Sequence, residues 1–330
     1  MPTQLGLLRS SGKINKRESG SFLFKYFEMK IHYYSPKSDP TIDARFRNFG
    51  DDLNATLWDE LFPGLLDENE TTIFSGIGSH LNEGFAKRFA SHNHVIFGTG
   101  WGYGAPVQSL GTRWKPYFVR GPLTAEALGL EPSAAITDAA VLIRLVYRCA
   151  KPRDIPIAFM PHVASMEAAG STWEIMCQEL DYHLIDVRKP VQDVLVDLER
   201  TQLLLTEALH GAIVADALRT PWLPFVSNQT ISSLKWRDWC ASIDADYLPV
   251  QLPTLWKNSG KASLFGDMKM NVKLKLLKSA MRRMPTVSKP FLSSDITIQS
   301  LTDRLAAKAE ALRVDYRVRN SEKPVPPIVY

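Results

Sequence analysis

The chain reads as an α/β protein built on parallel sheets. Three features of the sequence predict this. Short apolar runs alternate with amphipathic segments along most of its length, as strands and crossover helices do. Several of those runs end in a glycine-bearing turn that leads into a helix start. The alternation also breaks near 149–156, at a polar, proline-bearing stretch, and then restarts, while 330 residues exceed what one hydrophobic core usually serves.

Taken in order, the first strand falls at 29–34, opened by Met29. It is followed by NFGDDLN at 48–54 and a helix with Leu53, Leu57, Trp58 and Leu61 on one side. Further strands fall at 71–75, 94–97 and 116–120. They run into the turns at Gly76–Ser79, Gly98–Gly100 and Gly121-Pro122, the last with proline well placed in a first helical turn. Such turns bring backbone N–H groups to the carboxyl edge of a sheet, where open α/β folds bind ligands.

After the break, 157–160 reads as a strand ending at Pro161-His162. Helix 165–180 places Trp173, Met176, Cys177 and Leu180 on one face. Strand 182–187, helix 190–200, strand 202–206, helix 210–218 and strand 222–226 follow. An amphipathic helix over 295–314, with Ile298, Leu301, Leu305 and Leu312 on one stripe, is expected to pack back on either half. The organisation expected is a disordered extension at 1–28, domains at 29–150 and 151–260, and a basic segment, helix and proline-rich tail at 261–330.

Composition excludes several function classes. No run approaches the ~18 uninterrupted apolar residues of a membrane span. Residues 1–28 carry scattered charge and lack the apolar core of a secretory signal. Three scattered cysteines fit a reducing, cytoplasmic compartment and argue against a disulfide framework or a cysteine-rich zinc site. His92 and His94 share a strand face but have no identifiable third ligand, so no metal is expected. A net charge of +4 is too small to imply nucleic acid. That charge is unevenly spread, however. Segment 261–290 holds eight Lys/Arg against Asp267 alone, a local +7, with apolar residues interleaved. It reads either as a solvated helix face or as a peripheral contact with an anionic membrane.

Three positions could carry chemistry. Asn48, Gly50 and Asp51 suit a capped turn, or a close backbone approach to a ligand. Arg120 ends a strand just before a helix start, where it would make a phosphate or carboxylate clamp, or a surface ion pair. His210 follows an apolar strand at the start of a helix. There it would transfer protons near neutral pH, with Glu207 orienting it, or serve as a hydrogen-bonded structural histidine. His162 occupies the corresponding strand end earlier in the second half. The glycine turns lack the spacing of dinucleotide or Walker-type loops.

Read together, NFGDDLN (48–54), VRGPLTA (119–125), EALHGAIVADALRTPW (207–222) and KWRDW (235–239) resemble the polysaccharide pyruvyl transferases, especially the ketal-forming members of exopolysaccharide clusters. The likeness runs over about 29–240. It implies two Rossmann-like domains facing a cleft, glycosyltransferase-B-like, with no cofactor, phosphoenolpyruvate as donor and a sugar as acceptor. It implies His210 and Glu207 as catalytic residues and Arg120, Gly78, Gly100, Arg219 and Lys235 toward the donor. Asn48, Asp51 and His162 would face the acceptor, expected to be a lipid-linked oligosaccharide at the cytoplasmic membrane face. Many relatives carry arginine two residues before the histidine. Here that position is Ala208, so another cation must balance the donor. Two rival readings keep the same fold: a nucleotide-sugar-dependent glycosyltransferase, and a non-catalytic sugar- or lipid-binding scaffold.

Overall fold

A computed structural model of the chain describes residues 29–35, 42–43, 45–255 and 264–316, with side chains from 270 onward in the last stretch. The expected extension at 1–28 and the tail beyond 316 lie outside the described residues. Two parallel sheets organise the rest. The first runs β1 (Lys30–Ile31), β2 (Thr72–Ser75), β3 (Asn93–Phe97) and β4 (Trp114–Phe118), in that spatial order. Helices α1 (Phe49–Asp52) and α2 (Asn54–Leu61) connect β1 to β2, and α3 (Glu83–Arg88) connects β2 to β3. Helices α4 (Pro122–Ala127) and α5 (Ile143–Val146) follow β4.

The second sheet is formed by β5 (Ile155–Met160), β6 (His183–Leu184), β7 (Thr201–Thr206), β8 (Trp222–Val226) and β9 (Val250–Gln251), in the order β6-β5-β7-β8-β9. Its crossovers are α6 (Val163–Leu180), α7 (Val191–Arg200), α8 (Leu209–Ala217) and α9 (Ser233–Ser242). The chain then forms α10 (Leu264–Val287) and α11 (Asp295–Asp315). Every strand pairing within the two sheets is parallel.

The apolar runs become strands because helices cover both faces. All four residues of β2 are buried. Pro116 is tolerated in β4 because that strand lies at the sheet edge, where an amide is dispensable. The first and sixth predicted strands are shorter than their apolar runs suggest: only Lys30–Ile31 and His183–Leu184 pair. Against the first sheet, Trp58 sits edge-on to Phe74 and Phe97 at ring separations of 5.0 and 5.8 Å. Against the second, Trp222 packs between Trp239 and Phe291 at 5.1 and 5.3 Å. Helix α11 buries Ile298, Leu301, Leu305, Ala309 and Leu312. It returns to the first half: Arg313 donates to the Leu61 carbonyl at 2.6 Å, and the Tyr117 hydroxyl donates to Asp315 at 2.5 Å.

Asn54 fixes the turn after β2. Its side-chain oxygen accepts from the Ile77 amide (3.0 Å) and the Trp58 indole (2.9 Å). Its amide group donates to the carbonyls of Ile77 (3.0 Å) and Asp51 (3.1 Å). At 2% exposure it makes the four hydrogen bonds its amide can make. It thereby locks NFGDDLN to the Gly76–Ser79 turn.

Arg120 is placed differently from the sequence expectation. Its side chain is completely buried. The Nε donates to Asp238 at 3.0 Å, and the two terminal nitrogens donate to the Gly78 carbonyl, the Ser79 hydroxyl and the Trp101 carbonyl. Asp238, on α9, also accepts from the Thr124 amide and hydroxyl at 3.0 and 2.5 Å. The guanidinium is thus spent on two glycine turns and a carboxylate. It stands behind Gly100, whose missing side chain leaves room for it, rather than as an open clamp.

Two expectations follow. Asn54→Leu strands the Ile77 amide and carbonyl and the Trp58 indole, so unfolding in urea should show a loss of about 3–5 kcal/mol. Asp238→Ala leaves a buried guanidinium uncompensated and should cost about 3–5 kcal/mol, with Asp238→Asn costing clearly less.

Candidate functional site

The order β6-β5-β7-β8-β9 places its reversal between β5 and β7, since the chain leaves these neighbours toward opposite edges. A crevice outside the carboxyl ends of such a strand pair is the usual ligand position. Here β5 ends at Met160 and leads to His162, while β7 ends at Thr206 and leads to Glu207 and His210. The Glu207 amide donates to the Met160 carbonyl at 2.9 Å, so the two exits are held side by side. Above them lies a cavity of about 590 Å³, shared with the turns at 48–51, 78–80 and 103 from the first half.

His210 is the second residue of α8 and lines this cavity. Its Nε2 lies 3.7 Å from Oδ2 of Asp138, a carboxylate with no solvent exposure. That separation is within ion-pair range but too long for a hydrogen bond, and neither atom has a hydrogen-bond partner. The carboxylate favours a proton on Nε2, which leaves Nδ1 on the side of Gly50. A Cβ on Gly50 would stand 2.0 Å from that Nδ1. NFGDDLN therefore needs glycine at this position so that its backbone can lie against the imidazole.

No side chain caps the N-terminus of α8. Its first-turn residues Leu209, His210 and Gly211 all line the cavity, so the helix presents its positive end there. Lys235 supplies a full charge. Its stem packs across Gly102 and its ammonium sits 4.4 Å from the centre of the Tyr103 ring. Asn48 and Asp51 form a pair, the amide donating to the carboxylate at 2.7 Å. Burial pushes the Asp51 carboxyl above its ordinary range, against the Asn48 hydrogen bond.

Two further histidines line the wall. His80 packs on Gly78, whose φ of +137° only glycine adopts readily, and burial pulls its pKa down to about 3. His162 caps α6, its Nδ1 accepting from the Ala164 amide at 3.2 Å; burial, with the Lys235 charge next, lowers its pKa to about 4. Both are neutral near pH 7.

Glu207 lines the cavity without reaching His210 through any hydrogen bond. One carboxylate oxygen accepts from the Ser227 amide and hydroxyl and the Asn228 amide, and the other accepts from the His162 amide at 3.2 Å. It fastens the β5 and β8 exits, and the group facing His210 is Asp138 instead. Arg219, in the left-handed region at φ 66°, turns away to Ser293 and Asp295. Gly100 backs Arg120 and does not line the cavity. His94 stacks on Trp114 at 3.8 Å and bonds the Phe89 carbonyl, far from any ligand role.

No family model matches the chain. It is 37% identical over 213 residues to the succinoglycan biosynthesis protein ExoV of Rhizobium meliloti (strain 1021). The match covers 64% of this chain and 66% of that protein, just under two thirds of the relative's length. At that identity the chain is similar to a protein of succinoglycan biosynthesis, and the four motifs gather at one cavity and its supports.

Proposed function

We propose that this chain moves the pyruvyl group of phosphoenolpyruvate onto sugar hydroxyls as a cyclic ketal, in the biosynthesis of a bacterial exopolysaccharide. On this reading the two parallel sheets are Rossmann-like domains of a glycosyltransferase-B-like fold, and the shared cavity is their cleft. The observation that carries it is the convergence on one cavity of a carboxylate-faced histidine, an uncapped helix N-terminus and a lysine. Phosphoenolpyruvate carries a phosphate and a carboxylate, and these are the groups that a helix N-terminus and a cation recognise. Lys235 then takes the place of the cation missing at Ala208. Arg120 supports the donor side indirectly, by holding the Gly78 and Trp101 carbonyls in place.

In the reaction, His210 gives a proton to C3 of the enol, and positive charge develops at C2. Asp138 stabilises the imidazolium before transfer and keeps the ring oriented, as the buried carboxylate of a catalytic triad does. An acceptor hydroxyl adds to C2 and loses its proton to Asp51. The C2–O bond to phosphate breaks, inorganic phosphate leaves, and a neighbouring hydroxyl closes the ketal, giving its proton to His210 and restoring it. Neutral His80 and His162 line the acceptor side without adding charge. The relative's role in succinoglycan biosynthesis supports a polysaccharide-building context for the acceptor.

The binding half is checked by thermal stabilisation, since a ligand of the folded state raises its melting temperature by mass action. Phosphoenolpyruvate is expected to raise the melting temperature of the wild type and of Arg219→Met, and to leave Lys235→Met unmoved. A shift with a uridine-diphosphate sugar alone would replace this reading with glycosyl transfer. No shift with either would favour a non-catalytic scaffold.

The chemical half is read from phosphate release. His210→Ala should abolish turnover while phosphoenolpyruvate still stabilises the protein. Asp138→Asn should lower kcat by about 10²–10⁴ with KM for phosphoenolpyruvate little changed. Unaltered kcat in Asp138→Asn would remove the carboxylate from the mechanism.

A further inference from the structure

Helix α10 is seated by one face and leaves another bare. Leu277, Met281 and Met284 are buried, the Tyr182 hydroxyl donates to the Met281 carbonyl at 3.3 Å, and Lys278 pairs with Glu179 of α6 at 2.6 Å. On the far side, Val272, Leu276 and Val287 are exposed at 54%, 59% and 67%. Lys275, Arg282 and Arg283 are exposed among them. At about 100° per residue these six fall within an arc of roughly 140°, opposite the buried three. Every charged residue from 270 to 290 is Lys or Arg. The result is a stripe on which large aliphatic side chains and cations alternate, with no carboxylate among residues 270–290 to neutralise it.

We propose that this face of α10 docks on an anionic lipid surface, with the aliphatic side chains entering the headgroup boundary and the three cations meeting lipid phosphates. Charge complementarity selects that occupant. The chain's own segments outside the described residues do not fit: 1–28 carries five Lys/Arg against two acids, 36–41 one against one, 256–263 two against none, and 317–330 three against one. A second copy would bring the same cations to the contact. A purely ionic partner would leave the aliphatic residues of the stripe without a role, whereas an interfacial helix uses both kinds of side chain. The proposal rests on α10 alone and stands or falls independently of the reaction assigned to the cavity.

The test is flotation of the full-length protein with phosphatidylcholine vesicles and with mixed phosphatidylcholine–phosphatidylglycerol vesicles. The wild type should float with the mixed vesicles, much less with the neutral ones, and progressively less as salt rises. Each cation near such a surface strengthens binding about fivefold, so Lys275→Glu/Arg282→Glu/Arg283→Glu should weaken it by roughly a hundredfold or more. Val272→Ser/Leu276→Ser/Val287→Ser should weaken it by at least about tenfold, with the cations intact. All six positions are exposed, so melting temperatures should be unchanged. Should the Glu variant fail to fold, Lys275→Gln/Arg282→Gln/Arg283→Gln carries the same direction of effect. Absence of binding to the mixed vesicles, equal binding to neutral ones, or binding untouched by charge removal would each overturn the proposal. Retention on a soluble polyanion without vesicle binding would overturn it in favour of a nucleic acid or an acidic protein.

Discussion

The buried ion pair between Arg120 and Asp238 is the contact on which the geometry of the cavity depends. Arg120 leaves β4 and holds the backbone of two turns of the first half, at Gly78 and Trp101. Asp238 sits on α9, which follows β8 of the second sheet, and receives both Arg120 and the first turn of α4. One guanidinium therefore sets the turns that wall the cavity and the helix that carries Lys235. The approach is close: a Cβ on Gly121 would meet the Asp238 carbonyl at 2.1 Å. Smaller bonds follow the same seam, from the Ser232 hydroxyl to the Gly102 carbonyl at 2.9 Å and from Ser242 to Thr137 at 2.9 Å. Desolvating both charges is expensive, and the cost is offset only because nearly every donor and lone pair finds a partner. A pair so fully satisfied specifies one arrangement of the two halves better than apolar packing would.

That economy shapes the charge left over for a ligand. The carboxylates around the cavity are each committed. Glu207 holds the 227–228 backbone and the His162 amide, Asp138 faces His210 and accepts from the Ala140 amide, and Asp51 accepts from Asn48. His80 and His162 stay uncharged because the wall desolvates them. Lys235 and the α8 N-terminus remain on the positive side of the ledger. Arg88 also lines the cavity, from α3. On the proposed reading, an anionic ligand would meet these two cations and the α8 N-terminus where burial weakens solvent screening, the condition under which a few cations discriminate strongly.

Much of the fold was legible because period and punctuation are local properties. The buried parallel strands β2, β3 and β5 stand out as apolar runs closed by glycine or proline, β7 and β8 as apolar runs alone, and α7 by its 3.6-residue stripe. What failed was partnership. Arg120 beside a helix start has the local look of an anion clamp, and nothing nearby in sequence reveals that its carboxylate lies at 238. Glu207 is three residues from His210, yet a strand exit turns it toward 227, and the facing carboxylate comes from 138. Such pairings depend on which turns meet across the fold, and no periodicity encodes that. A signal was present all the same. KWRDW is one of the four motifs, and its acidic residue, set between two tryptophans that bury, needs a buried partner. Helix α9 escaped notice for a related reason: Trp236, Asp238, Trp239 and Cys240 are all buried, so its sequence lacks a clean alternation of apolar and polar faces.

The alanine at 208 follows from the same geometry. This position is the N-cap of α8, in extended conformation, with its side chain against the cavity. An arginine there would bring a flexible cation to a site that already has a helix N-terminus directed into it. On the proposed reading the cation arrives instead from α9, as Lys235, braced by Gly102 beneath its stem and by Tyr103 beneath its ammonium. A lysine held along its length loses less freedom on meeting an anion than an unbraced one. It also draws its position from the helix that Asp238 anchors. On the proposed reading, charge for the donor and alignment of the two halves are supplied by one element, so a change that loosens the Arg120–Asp238 pair would reach the donor through Lys235 without touching the cavity wall itself.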